Sequence, residues 1–202
     1  MFHDAATDSI RQSIERSIEV KQALLADAPL LARIRAVAEL CVERLRAGNR
    51  ILLAGNGGSA ADAQHIAAEL VSRFEFDRPG LPALALTTDT SMLTAIGNDY
   101  GYEQLFVRQL EANGRAGDVF IGISTSGNSK NVLAALGRCR TLGIVSVGLA
   151  GNGGLIQAAC DHVIAVPSGH TPRIQECHIA IGHAICAFVE NTLFSGYRTR
   201  KE

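Results

Sequence analysis

Apolar positions keep two different rhythms along this chain. Over residues 7–26, Ile10, Ile14, Ile18 and Leu24 or Leu25 recur at helical spacing, with Arg11, Glu15, Arg16 and Glu19 around them. That spacing predicts an amphipathic helix. The segment DAPLL interrupts it, and Pro29 suits the first turn of a following helix. Leu31, Ile34, Val37, Leu40, Cys41 and Leu45 then form a second apolar stripe, closed by Ala-Gly-Asn at 47–49.

From residue 50 the rhythm changes to short apolar runs bounded by turn residues. They are RILLAG (50–55), LPALALT (81–87), DVFIGIS (118–124), GIVSVGLA (143–150) and DHVIAVP (161–167). Helical patterns fall between them: from the first glycine turn to about Phe74, then 89–97, 103–113, 129–142 and 153–159, with a long one over 172–195. Strands alternating with helices predict an α/β fold, a doubly wound, five-stranded parallel sheet covered by helices on both faces. The expected organisation is a single domain over 1–202, with a helical pair at 1–48 and an α/β core at 49–202. No linker, repeat array or low-complexity tract interrupts it.

Composition narrows the function classes. The 202 residues are 47% hydrophobic with a net charge of −1, which gives no electrostatic case for nucleic acid or an anionic membrane. Trp is absent and aromatics are few, so a base-stacking surface is not expected. Five cysteines, at 41, 139, 160, 177 and 186, form no C-x-x-C pair. They predict free thiols in a reducing cytoplasm rather than disulfides or a thiolate metal site. The first residues lack a basic segment followed by an apolar run, so no signal peptide is expected. No uninterrupted apolar stretch reads as long enough to span a bilayer.

Three of the apolar runs end in candidate ligand loops: GNGGSA (55–60), STSGNS (124–129) and GNGG (151–154). At the carboxyl ends of parallel strands such turns face the ligand crevice, and each opens a helix whose free amides favour an anion. Gly55, Gly57 and Ala60 also fit the dinucleotide fingerprint G-x-G-x-x-A, with Asp89 as the candidate ribose-binding acid. That reading explains only the first loop. A small phosphorylated ligand uses the first two together, where Ser124, Thr125, Ser126 and Ser129 supply hydroxyl donors. The third loop lacks hydroxyls and reads as a turn.

Candidate chemistry lies on two helices. His65 and Glu69 stand at i and i+4, on one face and about 6 Å apart in rise. RIQECHIAIGH holds Gln175, Glu176, His178 and His183. A His and a carboxylate from one helix, with a His and an amide from another, make an N/O metal set that stays open to substrate. Gln175 and His183 are about 12 Å apart along an ideal helix. Both bind one ion only if the helix starts after Gln175, is distorted, or the two come from different subunits. His178 reads as a structural or interface residue, and His162 and His170 as solvated.

Taken in order, GNGGSAADAQHIAAEL, NDYGYEQLF, STSGNSKN and RIQECHIAIGH resemble the bacterial phosphoheptose isomerases, proteins of the sugar isomerase (SIS) fold. The resemblance runs over nearly the whole chain. It implies conversion of sedoheptulose 7-phosphate to D-glycero-D-manno-heptose 7-phosphate in the cytoplasm, a first step toward lipopolysaccharide-core or capsular heptose. It implies a homotetramer with sites between subunits and one zinc ion per subunit. The implied zinc ligands are His65, Glu69, Gln175 and His183, and the implied acid/base pair is Glu69 and His183. Implied substrate contacts are Asn56, Gly57, Gly58, Ser59, Glu69, Asn98, Asp99, Ser124, Thr125, Ser126, Ser129 and Gln175. Zinc weakens a bound carboxylate as a base, so Glu69 is ligand, base, or each in turn. The alternative from another class is a non-catalytic SIS-fold protein that engages the bacterial replication initiator; it is expected to lack the full set of these groups.

Overall fold

In a computed structural model, the backbone is described for residues 2–200 and the side chains for residues 7–197. Two helices lead, α1 (Phe2–Ala26) and α2 (Ala28–Arg46). Asp27 ends the first and begins the second: its carboxylate accepts the Leu30 amide at 2.8 Å, and Pro29 lies in the first turn of α2. Five strands follow, β1 (Ile51–Gly55), β2 (Ala83–Ala85), β3 (Val119–Ser124), β4 (Val145–Ala150) and β5 (His162–Ala165). Between them run α3 (Gly58–Val71), α4 (Thr90–Asp99), α5 (Leu105–Asn113) and α6 (Lys130–Leu142), and α7 (Thr171–Phe194) closes the fold. The helical pattern at 153–159 is only a short 3₁₀ turn, Leu155–Ala158, because the glycines before it set up a tight turn rather than a helix start.

The sheet is parallel throughout, in the order β2-β1-β3-β4-β5. β1 and β3 are fully buried, as expected of inner parallel strands with both faces covered. Alternate side chains serve opposite cores. Ile51, Leu53, Ile121 and Ile123 pack with α2, α3 and α7, while Leu52, Ala54 and Phe120 pack with α5 and α6. The strand order reverses between β1 and β3, so their outgoing loops part and leave a crevice at their carboxyl ends.

Helix α7 lies beside α3 and runs in the same direction. A Cβ built on Gly182 would meet the Ile66 side chain at 2.6 Å, so glycine is what admits this close approach. By length and composition alone, Thr171–Tyr197 has a stretch apolar enough to cross a membrane, with mean hydropathy 1.3, which qualifies the expectation that none exists. Here 44% of that stretch is buried, and the helix carries buried His178 and Glu190.

Two helices are poorly covered. On α1, Ile10, Ile14, Ile18 and Leu25 remain 62%, 56%, 49% and 70% exposed. Among the described residues of α1 only Val20 and Leu24 reach the core, and Arg173 ties α1 to α7 by donating to the Ser13 carbonyl at 2.9 Å. On α4 no residue is buried.

His178 is fully buried, and neither ring nitrogen has a hydrogen-bond partner. Burial pushes its imidazole pKa down to about 4; the nearby Ala150 backbone favours the charged form only slightly and is not aligned for a hydrogen bond. With the folded pKa below the unfolded value, the unfolded chain takes up the proton first. Stability therefore falls as pH drops from 6.5 toward 4, by up to about 1.4 kcal/mol per pH unit. Urea denaturation across this window should show that His178→Leu loses less stability on acidification than the wild type, by on the order of 2 kcal/mol.

Candidate active site

The two phosphate-loop candidates are neighbours at the switch point. The first follows β1, where Gly57 sits at φ 55°, a conformation that favours glycine. Gly58 lies directly beneath the side-chain amide of Gln175, which a Cβ there would have to displace. Asn56 is half-buried, Gly57 and Gly58 are exposed, and Ser59 is only 4% exposed, turned into the protein.

The second loop follows β3. Ser124 is buried, and its hydroxyl lies 2.9 Å from the Ser129 hydroxyl and accepts the Ser129 amide at 3.3 Å. Thr125 is half-buried and Ser126 exposed. The N-cap residues of α3 and α6 make no side-chain bond to the first turn, whereas aspartates cap α2 and α4; in α6 Asn131 Oδ1 takes the Val132 amide. The positive ends of α3 and α6 face the crevice, where the remaining first-turn amides favour an anion.

The third loop is a buttress. The Ile156 amide donates to the Gly127 carbonyl at 3.0 Å, the Gly151 amide to the Thr125 carbonyl at 3.1 Å, and the Leu155 amide to Asn128 Oδ1 at 3.0 Å. GNGG thus fixes the back of the serine-rich loop, and its place there accounts for its lack of hydroxyls.

Asn131 and Tyr102 join the loops, and neither stood out in the sequence. Asn131 is 2% exposed, and its Oδ1 accepts the Val132 amide at 2.9 Å, which fixes the amide's orientation. It then exchanges two hydrogen bonds with Asn56, each 2.9 Å. Tyr102 donates to Asn56 Oδ1 at 3.0 Å. Asn56 is left with one Nδ2 hydrogen free for the crevice. Beside it opens a groove of about 410 Å³ lined by Asn56, Gly57, Leu93, Thr94, Gly97 and Tyr102. Asn98 and Asp99 end α4 next to this groove, both exposed, with Asn98 donating to Asp99 at 2.8 Å. Asp89, the candidate ribose acid, is instead the N-cap of α4: it accepts the Met92 amide at 2.8 Å. Its carboxylate is thereby committed to the helix.

Further along α3 and α7 a second cluster forms. His65 Nε2 lies 2.9 Å from His183 Nε2 and 3.1 Å from Glu69 Oε1. All three ligand atoms fall within 4.8 Å of one another. Two imidazole nitrogens and a carboxylate oxygen at these separations fit a small divalent ion, whose tetrahedral edge is about 3.3 Å for bonds near 2.05 Å. Phe74 stacks beside His183, with ring centroids 5.3 Å apart. Asp62, about one turn before His65, has its Oδ2 buried without a partner; burial raises its pKa, and His65 partly offsets this. The helical series 62, 65, 69 was the sequence signal that could have found it.

Gln175 does not join this trio within the chain. Helix α7 is continuous from Thr171, so Gln175 and His183 stand about 12 Å apart along it, and Gln175 lies against Gly58 instead. A late helix start and a distorted helix are both removed as explanations. His170 precedes α7 as an exposed residue, and His162 is half-buried at the start of β5.

Comparison with known proteins identifies the family. The family model of the SIS domain matches residues 8–151. The chain belongs to the SIS-domain family. It is 65% identical over 188 residues to the phosphoheptose isomerase of Aneurinibacillus thermoaerophilus, covering 93% of this chain and 95% of that one. To phosphoheptose isomerase 2 of Campylobacter jejuni it is 62% identical over 179 residues, 88% of this chain and 89% of the relative. The solved phosphoheptose isomerase of Neisseria gonorrhoeae superposes with a TM-score of 0.86 at 43% identity, covering 92% of this chain and 99% of that one. That of Francisella tularensis gives 0.87 at 36% identity, over 92% and 98%. These members of the SIS-domain family carry an enzyme's name, and they give the initiator-binding alternative no support.

Asn131→Ala should remove the partner of Asn56 and cost about 1–3 kcal/mol in urea denaturation. Exposed Asn98→Ala should stay within about 0.5 kcal/mol of the wild type in the same measurement.

Proposed function

We propose that this protein is an aldose–ketose isomerase that converts sedoheptulose 7-phosphate to D-glycero-D-manno-heptose 7-phosphate through an enediol(ate). The observation that carries the reading is the convergence of Glu69 Oε1 with the Nε2 atoms of His65 and His183, in a chain 65% identical to a phosphoheptose isomerase. Isomerisation moves one proton between adjacent carbons and another between their oxygens, with no net change in composition. Glu69 takes the proton from C1 of the ketose and returns it to C2. His183 gives a proton to the C2 oxygen and receives one from the C1 hydroxyl, a task suited to an imidazole.

The phosphate is held by the remaining first-turn amides of α3 and α6 with the hydroxyls of Thr125, Ser126 and Ser129. Asn56, Gly57, Gly58, Asn98 and Asp99 contact the sugar, and Ser59 and Ser124 shape the loops from behind. His65, Glu69 and His183 would hold one zinc ion per subunit, which when bound polarises the carbonyl and stabilises the negative charge of the enediolate. Gln175 supplies its amide across a subunit boundary.

The assembly is a homotetramer with sites between subunits. Two features support this: the exposed apolar stripe of α1, and the place of Gln175 against Gly58, about 12 Å along α7 from His183. The five free cysteines fit a reducing cytoplasm, where the product would enter synthesis of lipopolysaccharide-core or capsular heptose.

A coupled assay with sedoheptulose 7-phosphate should show turnover that chelator abolishes and Zn²⁺ restores. Glu69→Gln should keep the fold and oligomer and lose about 10²–10⁴ in kcat. Near-normal turnover in that variant would remove Glu69 as the base. Light scattering should give four subunits, and a monomer would overturn the between-subunit site.

A further inference from the structure

The helices carrying His65, Glu69 and His183 are fastened together a second time, beyond the trio. Arg78 and Glu190 form an ion pair, Nε to Oε1 at 3.0 Å, with side chains 1% and 0% exposed. Glu190 lies two helical turns past His183 on α7, so it projects from a similar face. Its Oε1 also accepts the Phe74 amide at 2.8 Å, and its Oε2 accepts the Glu75 amide at 2.7 Å. Arg78 spends the rest of its fork on the end of α3. Nη2 donates to the Glu69 carbonyl at 2.8 Å, and Nη1 to the Leu70 carbonyl at 2.6 Å, with longer bonds to Ser72 and Pro79.

Every buried polar atom of the pair has a partner. Burial pushes the Glu190 carboxyl up, but the amides of Phe74 and Glu75 and the Arg78 guanidinium outweigh this and hold its pKa below the usual carboxylate range. Stability alone does not account for such a pair, because well-packed apolar residues often serve a buried site equally well. An apolar pair lacks what this one has, which is simultaneous direction to both helices and to the loop that follows α3. Through Arg78 it holds the backbone of Glu69 itself. Through the Phe74 amide it holds the ring that packs on His183, at 5.3 Å and 37°.

We propose that the Arg78–Glu190 pair is the positioning device that sets α3 and α7 at metal-binding distance, with Phe74 fixing the plane of the His183 ring. The proposal rests on His65, Glu69 and His183 being a metal site. Partner groups that orient metal ligands typically account for about 10–100-fold in metal affinity.

The test measures Zn²⁺ affinity by competition with a chromophoric chelator, on wild type, Arg78→Lys, Glu190→Gln and Phe74→Leu. Circular dichroism melts place each measurement well below unfolding, and isomerase kinetics are run in parallel. Arg78→Lys keeps the charge and loses the fork, so it should bind Zn²⁺ about 10–100-fold more weakly, with kcat lowered and KM near that of the wild type. Phe74→Leu keeps the ion pair intact and should weaken Zn²⁺ binding by a smaller factor. It carries the test together with Arg78→Lys if Glu190→Gln does not fold. Folded variants that melt earlier yet bind Zn²⁺ as tightly as the wild type would overturn the proposal, leaving the pair a purely structural role. A wild type that binds no Zn²⁺ gives a different result: it overturns the metal reading, and the proposal with it.

Discussion

The missing side chain at Gly182 admits the close approach on which the site depends. With Ile66 filling that gap, α7 lies close enough to α3 for two histidines from distant parts of the sequence to meet at 2.9 Å. A side chain there would have to displace the Ile66 side chain, which a Cβ would meet at 2.6 Å. Both helices also pack on one face of the sheet, so a shared core brings them side by side. The buried polar contacts between them, Arg78 with Glu190 foremost, then select one arrangement of the packed helices.

The same division explains the crevice. Strand order 2-1-3-4-5 parts the loops after β1 and β3, and a reciprocal amide pair between Asn56 and Asn131 then locks them together. The turn after β4 braces the serine-rich loop from behind. The donors of the first two loops are thus held by neighbours before any ligand arrives, which lowers the reorganisation that binding requires. Helix α4 is different, since it buries none of its residues and gains little from the core.

Much of this was legible in the chain. Five apolar runs became five strands, and the first two glycine- or serine-rich turns fell at the switch point because a parallel sheet leaves them nowhere else. His65 and Glu69 were legible because helical spacing is local. Contacts between distant residues were not. Nothing in the spacing of Asn131 announces a partner in Asn56, nor in that of Arg78 a partner in Glu190, because the sheet and the α3–α7 packing bring them together. Asp89 read plausibly as a ribose acid, since an aspartate after a strand is equally an N-cap until its hydrogen bond is seen. The run LPALALT forms a strand of only three residues: the Leu81 amide bonds back to Leu70, Pro82 has no amide and offers β1 only its carbonyl, and Leu86 bonds to β1 as the chain turns away.

That short strand has a further consequence. The sheet is bounded by β2, three residues long, and β5, four residues long, while its inner strands run to five or six. Edges this short offer few open backbone groups to a passing chain, which is how natural sheets resist edge-to-edge aggregation. The exposed apolar surface lies on helical faces instead, above all along α1.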